Sequence, residues 1–242
     1  NGAELQRWVG RRLDETDRVT RPHVVARREE LRSLRKKKTS AVFAPVWEKI
    51  CSGKVGGAVA GLRAVVDNDP LVTWRKKREL VGVAHIRSKM TLLGRDFGDM
   101  YSPVGARPIT PWAEDYDLIA ASGVFTPDEE RLVRQFLMLM GHLYMQPDFM
   151  NWRYGSRNAN FEADRTDVVG TVGLVFHGNP AAAGFVKHAV DLMESSLNVY
   201  GTPGSGRWYE NPACYYLHAM KCRANLAVHL ARHGIAHPRR LG

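Results

Sequence analysis

Cysteine is scarce in this sequence. Only Cys51, Cys214 and Cys222 are present among 242 residues, and no two of them have the CxxC spacing. Thiols this few and this far apart support neither a disulfide framework nor a zinc site. We therefore predict no bound metal and no cofactor.

Long apolar runs are also missing. No segment approaches the ~20 consecutive apolar residues that a membrane-spanning helix needs, and no signal peptide is visible. The sequence starts at Asn1 rather than at Met and stops at Gly242 shortly after a helical pattern, so we interpret it as a fragment. No helix-turn-helix, zinc-finger or RNA-binding signature is present, which argues against nucleic acid as the partner.

Positive charge is in excess. The formal net charge is +10, which is compatible with an anionic partner such as nucleic acid, a membrane surface or an acidic polysaccharide. Most of the excess lies early, in runs such as residues 35–38 and 75–78, and such runs are typical of solvated helix faces. Hydrophobic residues make up 44% of the chain, enough to fill a core.

The chain divides into two regions by the sharpness of its helix signals. Residues 1–95 indicate a basic helical N-terminal region, interrupted at Asn68-Asp69-Pro70. A joint rich in glycine and proline covers residues 94–111. Residues 96–242 indicate a second helical segment, and together the two regions predict an all-α fold.

The clearest helix is predicted from Pro127 to Met145. Thr126 provides a capping hydroxyl, Pro127 takes the first helical position, and Glu129 is the carboxylate three residues after the cap. Apolar residues then recur at helical spacing. This pattern predicts a buried stripe along one face.

Three further helices follow in the sequence. They are predicted near residues 166–176, from Asn179-Pro180 onward, and from Asn211-Pro212 to the neighbourhood of Gly234. The short connections leave room for successive helices to run antiparallel.

Two polar loops, residues 151–164 and 201–210, separate these helices. They carry or adjoin the groups we predict to bind substrate: Trp152, Arg157, Asn160, Arg165, Trp208, Tyr209 and Glu210. An aromatic face can stack on a sugar ring while a guanidinium makes forked hydrogen bonds with its carboxylate. If helix pairs stack in a ring, both loops open at one end and form one cleft. In the competing interpretation the asparagines cap helices and the arginines pair with Glu162 and Asp164.

Tyr215 is predicted in the first turn of the last helix. The positive end of the helix dipole favours a tyrosinate there, so this side chain could accept or donate a proton. Packing on an amphipathic face is the alternative. The histidines of the second region are expected to be surface or hydrogen-bonded residues: His177, His188, His218, His229 and His233. His218, one turn beyond Tyr215, could share its face.

Three groups of short motifs follow one another along the chain, and their order is more specific than any one of them. Tyr116-Asp117-Leu118-Ile119 and Ser122-Gly123-Val124-Phe125 precede the Thr126 cap, Asn158-Ala159-Asn160 follows, and Gly206-Arg207-Trp208-Tyr209-Glu210 leads to Tyr215. This order resembles the helical domain of the heparinase II/III-like and alginate lyases. The resemblance covers about half of the chain, residues 111–233.

The resemblance implies an incomplete (α/α) toroid of antiparallel helical hairpins, truncated before an expected β-sheet domain. It implies a periplasmic or extracellular polysaccharide lyase that cleaves a uronate-containing acidic polysaccharide by β-elimination. Asn158 matches the amide that holds the substrate carboxylate, Tyr215 the tyrosine that transfers protons, and Glu210 the acidic residue ahead of it. The family places a histidine after this asparagine, whereas the chain has Ala159, so Arg157, Arg165 or a distant histidine would have to replace it.

Two other functions remain open. A glycoside hydrolase on a helical toroid needs two carboxylates flanking the bond, and Glu162, Asp164 and Glu210 could provide them. A non-catalytic module that binds acidic polysaccharide or nucleic acid is the third possibility, since the first region is basic.

Overall fold

The computed structural model describes residues 7, 19–52, 59–92, 106–146, 159–200 and 212–236, without the side chains of residues 59, 89–92, 200, 212 and 213. Over these residues the chain contains helices and no strand, which confirms the all-α prediction for the part described. The helices are α1 (Glu30–Lys37), α2 (Ala44–Cys51), α3 (Val59–Val66), α4 (Pro70–Leu92), α5 (Ile109–Ala120), α6 (Pro127–Met145), α7 (Ala159–Val175), α8 (Pro180–Tyr200) and α9 (Leu217–Arg232). A π-helical turn, Pro212–Tyr216, leads into α9.

The start of α6 confirms the predicted cap. The backbone N–H of Glu129 donates to the Thr126 hydroxyl oxygen at 3.3 Å, and the Glu129 carboxylate accepts from the backbone N–H of Thr126 at 2.8 Å. Two of the free N–H groups at this helix end are thereby satisfied. The helix runs from Pro127 to Met145, as predicted.

Local signals also set other helix ends. The interruption predicted at Asn68-Asp69-Pro70 is confirmed, because Asn68 has a φ of 55° and α4 begins at Pro70. Asn179 Oδ1 accepts from the N–H of Ala181 at the start of α8. Gly234, with a φ of 68°, follows the end of α9 and takes the left-handed conformation that glycine adopts without strain.

The helix α7 lies at the centre of the fold. Every one of its residues except Phe161 and Glu162 is buried, and it packs against α5, α6, α8 and α9. Its predicted start near Thr166 is wrong: the helix begins at Ala159, so residues 159–164, predicted as loop, are its first turns. A helix with contacts on all sides needs no apolar stripe along one face. The apolar residues of α7 therefore show little helical periodicity in the sequence.

Two glycines let neighbouring helices approach α7 closely. A Cβ atom on Gly170 would lie 2.5 Å from Cδ1 of Leu226 on α9. One on Gly173 would lie 2.7 Å from Cγ2 of Val186 and 3.0 Å from its backbone nitrogen, both on α8. Larger side chains at these positions would push α8 and α9 away from the centre.

Helices from the two predicted regions share one hydrophobic core. Val24, Leu31 and Leu80 belong to the same buried cluster as Phe136 and Leu226. A buried carboxylate reinforces this packing, since Asp117 on α5 accepts hydrogen bonds from the backbone N–H groups of His23 and Val24, each at 2.9 Å. The boundary predicted between residues 95 and 96 lies outside the described residues and stays a prediction.

Candidate functional site

A cavity of about 490 Å³ opens where α5, α7 and α9 meet. Its polar wall consists of Arg107, Thr110, Glu114, Asp164, Asp167, His218, Lys221, Cys222, Asn225 and His229. Helical geometry explains how they converge, because residues three or four apart share a helix face. Asp164 and Asp167 are so spaced on α7, and α9 presents its cavity-lining groups in steps of three and four from His218 onward.

Asp164 and His218 join α7 to α9 within the lining of this cavity. The His218 Nε2 atom lies 2.6 Å from Asp164 Oδ1, and the Arg107 Nε–H donates to the other oxygen, Oδ2, at 3.2 Å. The Asp164 side chain is 2% exposed, whereas those of His218 and Arg107 are 29% and 39% exposed. A buried carboxylate is thus held between a ring and a guanidinium that both reach solvent.

Cys222 completes a group of potential metal ligands. Its Sγ atom lies 3.7 Å from Asp164 Oδ1 and 3.7 Å from His218 Nε2, and the three ligand atoms lie within 4.8 Å of one another. Burial raises the pKa of the Cys222 thiol, and the Asp167 and Asp164 carboxylates raise it further. With no cation bound the thiol keeps its proton, which does not suit a thiolate nucleophile.

A second polar cluster forms the deeper wall of the cavity. His229 Nε2 lies 2.8 Å from Glu114 Oε1, and the Asn225 amide donates to Glu114 at 3.0 Å and to Asp167 at 3.3 Å. Burial raises the pKa of Asp167 well above its ordinary value, and the nearby charge of Glu114 adds to the rise. Asp167 therefore holds its proton more strongly than an ordinary aspartic acid does.

Tyr215 lies at the surface of the π-helical turn, three residues before His218. Its side chain is 49% exposed, so the phenol is not buried among aliphatic neighbours. Asn160 lies in the first turn of α7, four residues before Asp164. It is 1% exposed, and its Oδ1 atom has no hydrogen-bond partner within the described part of the chain.

Several predicted site residues lie outside the described residues. They are Trp152, Arg157, Asn158, Trp208, Tyr209 and Glu210. The predicted convergence of Asn158 and Tyr215 in one cleft therefore stays a prediction, as does the binding role of each of these side chains.

Arg165 is buried and binds to the protein backbone. It is 7% exposed, and its guanidinium donates to the backbone carbonyls of Tyr144, Met145 and Gln146 at the C-terminal end of α6. These are the carbonyls that a helix leaves without an intrahelical partner. The geometry thus gives Arg165 a capping role within the fold and lends no support to the predicted substrate contact.

The other histidines that were predicted in the second region have partners within the fold. The rings of His23 and His177 lie 5.4 Å and 5.5 Å from that of His233, and His188 Nε2 is 3.4 Å from a guanidinium nitrogen of Arg165. Together with His229 they agree with the expectation of hydrogen-bonded or packed histidines. His218 stands apart because it lines the cavity.

The sequence interpretation missed most of the cavity. Arg107, Glu114, Asp167, Cys222 and Asn225 were not among its site residues, and Asp164 entered only as a pairing or hydrolase carboxylate. One local signal was available, namely the one-turn spacing of His218 and Cys222 on a helix. Their partner Asp164 lies 54 residues earlier in the chain, so only the tertiary structure brings it to them.

Comparison of the chain with protein-family models, with curated proteins and with solved structures found no match. Among the described residues, no helix has the length and apolar composition needed to cross a membrane.

Proposed function

We propose that this chain is the helical part of a polysaccharide lyase that acts on uronate-containing polymers. The observation that carries the proposal is the cavity between α5, α7 and α9, where the cationic groups of Arg107 and Lys221 lie beside the carboxyl groups of Glu114, Asp164 and Asp167. Tyr215 is not part of this lining and is exposed in the turn just before α9. In the proposal a small segment of an anionic sugar chain binds against the cationic groups. The π-helical turn that carries Tyr215 is a further support, because such turns occur frequently at functional sites.

The cationic groups suit a uronate carboxylate. Arg107 and Lys221 both line the cavity, and the Arg107 guanidinium has N–H groups left over after its contact with Asp164. A guanidinium can bind a carboxylate with two parallel hydrogen bonds. Positive charge beside the carboxylate also stabilises the negative charge that builds up when the neighbouring proton is removed.

In the proposed reaction Tyr215 transfers protons. As tyrosinate it takes the C5 proton of the uronate, and the electrons of the C5–H bond form a C4–C5 double bond. The C4–O bond breaks, and the departing oxygen receives a proton from the phenol. The products are an unsaturated sugar and a new chain end, with no water consumed. His218, which is held by Asp164, lies in the first turn of α9, three residues after Tyr215.

The finer parts of the proposal come from the resemblance to the heparinase II/III-like and alginate lyases. They are an incomplete (α/α) toroid, a location in the periplasm or outside the cell, and an Asn158 amide that holds the substrate carboxylate. The extensive packing of the consecutive helices α7 and α8 against each other supports helical hairpins.

The test is formation of unsaturated uronate. The chain is incubated with alginate, heparan-type and other uronate polymers, and ultraviolet absorbance of the new double bond is followed. We expect activity on one polymer class, and a loss of about 10²- to 10⁴-fold in Tyr215→Phe, the range for losing a positioned acid–base group. Tyr216→Phe, a neighbouring phenol in the same turn, is the matched control.

Two results would contradict the lyase proposal. One is the absence of absorbance across the whole panel of polymers. The other is a Tyr215→Phe variant as active as Tyr216→Phe. Binding of a polymer without cleavage would instead favour the non-catalytic module.

One observation favours glycoside hydrolysis as a second candidate. Asp164, Asp167 and Glu114 line one cavity, and burial raises the pKa of Asp167 well above its ordinary value, in the direction that a general acid requires. A hydrolase would release reducing sugar without ultraviolet absorbance and would lose activity in Asp167→Asn while tolerating Tyr215→Phe. The same assay therefore separates the two candidates.

A further inference from the structure

We propose that Asp164, His218 and Cys222 bind a transition-metal dication, and that Zn²⁺ fits the three side chains best. An imidazole nitrogen, a carboxylate oxygen and a thiolate sulfur are the three ligand types found in zinc sites. A thiolate together with an imidazole selects against Mg²⁺ and Ca²⁺, which prefer oxygen ligands. The proposal does not depend on the lyase function.

The distances between the ligand atoms suit a tetrahedral ion. With zinc about 2.0 Å from nitrogen or oxygen and about 2.3 Å from sulfur, tetrahedral ligand atoms lie about 3.3–3.6 Å apart. The two distances from Cys222 Sγ, to Asp164 Oδ1 and to His218 Nε2, are both 3.7 Å. Asp164 Oδ1 and His218 Nε2 share a hydrogen bond at 2.6 Å, and they would separate by less than about 1 Å to admit the ion.

The direction of the contacts favours a metal over a nucleophilic triad. In a cysteine–histidine–aspartate triad the carboxylate orients the ring through one nitrogen while the sulfur faces the other. Here Asp164 and Cys222 both approach the same nitrogen, Nε2 of His218. Convergence of three ligand atoms on one point is the arrangement that a bound cation requires.

The supporting structure holds the ligands in place. His218 and Cys222 lie one turn apart on α9, and Asp164 lies on the enclosed helix α7. Arg107 occupies Oδ2 of Asp164 and leaves Oδ1 for the ion. Hydrogen bonds of this kind to a ligating carboxylate orient it and raise metal affinity.

Three protein ligands leave one coordination position toward the cavity. That position could take a water molecule or an oxygen of a bound ligand, as in zinc sites that keep an open position. Lys221 and Asn225 line the cavity around it.

The test measures metal binding directly. The full chain is treated with chelator, dialysed, and titrated with Co²⁺ as a spectroscopic substitute and with Zn²⁺ by calorimetry. We expect one equivalent per chain, and a thiolate-to-cobalt charge-transfer band. Cys222→Ser should lose the band and weaken Zn²⁺ binding at least about tenfold, and His218→Gln should weaken binding similarly.

The chain supplies matched controls. Cys214→Ser removes an exposed thiol and Cys51→Ser a half-buried one, both outside the cavity lining, and neither should change the band. Circular dichroism and thermal unfolding without metal show that each variant is folded, and Zn²⁺ should raise the melting temperature of the wild type but not of Cys222→Ser. No stoichiometric binding, or a band that survives in Cys222→Ser, would overturn the proposal and leave the Asp164–His218 pair as a structural contact.

Discussion

Lys76 on α4 and Asp115 on α5 form an ion pair of unequal burial, with 3.1 Å between Nζ and Oδ2 and side-chain exposures of 20% and 1%. Burial raises the pKa of Asp115 to about 6, against the attraction of the ammonium. For Lys76 burial lowers the pKa, but the Asp115 and Glu79 carboxylates together raise it above its ordinary value. The carboxylate is therefore the partner whose charge is costly to bury.

This pair makes stability depend on pH. Because the folded pKa of Asp115 exceeds its ordinary value of 3.8, its contribution to stability is complete below that pH and is lost as the pH rises through about 6. We expect Asp115→Asn to remove this dependence, so that between about pH 4 and about pH 7 the variant gains up to about 3 kcal/mol of unfolding free energy relative to the wild type. Urea titrations across this range measure it.

Asp191→Asn is the control for this measurement. Asp191 also pairs with a lysine, Lys187, at 2.6 Å, but its side chain is 59% exposed. The unfolding free energy of Asp191→Asn should change with pH in parallel with that of the wild type. If Asp115→Asn also ran parallel to the wild type, burial of the Asp115 carboxylate would not lower the stability at higher pH.

Arg165 should matter for stability rather than for substrate binding. Arg165→Met keeps much of the side-chain volume but removes the donors to the carbonyls of Tyr144, Met145 and Gln146. We expect a loss on the order of 3 kcal/mol in unfolding free energy, and little change in Arg131→Met on the exposed side of α6. Unchanged stability combined with weaker polymer binding would return Arg165 to the substrate site.

Gly173 should not tolerate a larger residue. In Gly173→Ala the new Cβ would meet Val186 on its side chain and on its backbone nitrogen, and the carbonyl oxygen of Ala182 at 3.1 Å. We expect a destabilisation of about 1–3 kcal/mol in urea unfolding, since backbone atoms cannot yield easily. Gly184→Ala on α8, where nothing lies within 4 Å, should instead be neutral or stabilising by up to about 1 kcal/mol. If both substitutions changed the stability equally, α7 and α8 would not be in close contact at Gly173.

Thr126→Ala should weaken the start of α6. The substitution removes the acceptor of the Glu129 N–H, at a cost of about 1 kcal/mol in thermal or urea unfolding. Thr39→Ala, which removes only an exposed hydroxyl contact to the Lys36 carbonyl, should change little. Similar losses in both would indicate that the cap adds nothing beyond a surface hydroxyl.

Features set by neighbouring residues could be read from the sequence. The cap at Thr126, the interruption at Asn68 and the turn at Gly234 each depend on contacts within a few residues, and all three are present. The start of α7 could not be read in this way. Asn158-Ala159-Asn160 has the composition of a loop, and its helical state from Ala159 onward comes with burial against four other helices.

The chemistry of the cavity depends on distant partners and was therefore only partly foreseen. His218 was singled out for its position beside Tyr215, but Asp164 and Glu114, which bind His218 and His229, lie 54 and 115 residues earlier. Arg165 was assigned to substrate because a guanidinium beside a polar loop can make forked hydrogen bonds with a sugar carboxylate. Its carbonyl partners are about 20 residues away and become visible only when α6 and α7 pack together.

The enclosure of α7 also limits how such a cavity can diversify. A change at Asp164 or Asp167 must satisfy helices on several sides at once, so these positions can vary only in concert with their neighbours. Lys221, which lines the cavity, and Tyr215, in the turn before α9, are both exposed and free of that constraint. We therefore expect exposed positions of this kind to accept substitutions more readily than the buried carboxyl groups of α7.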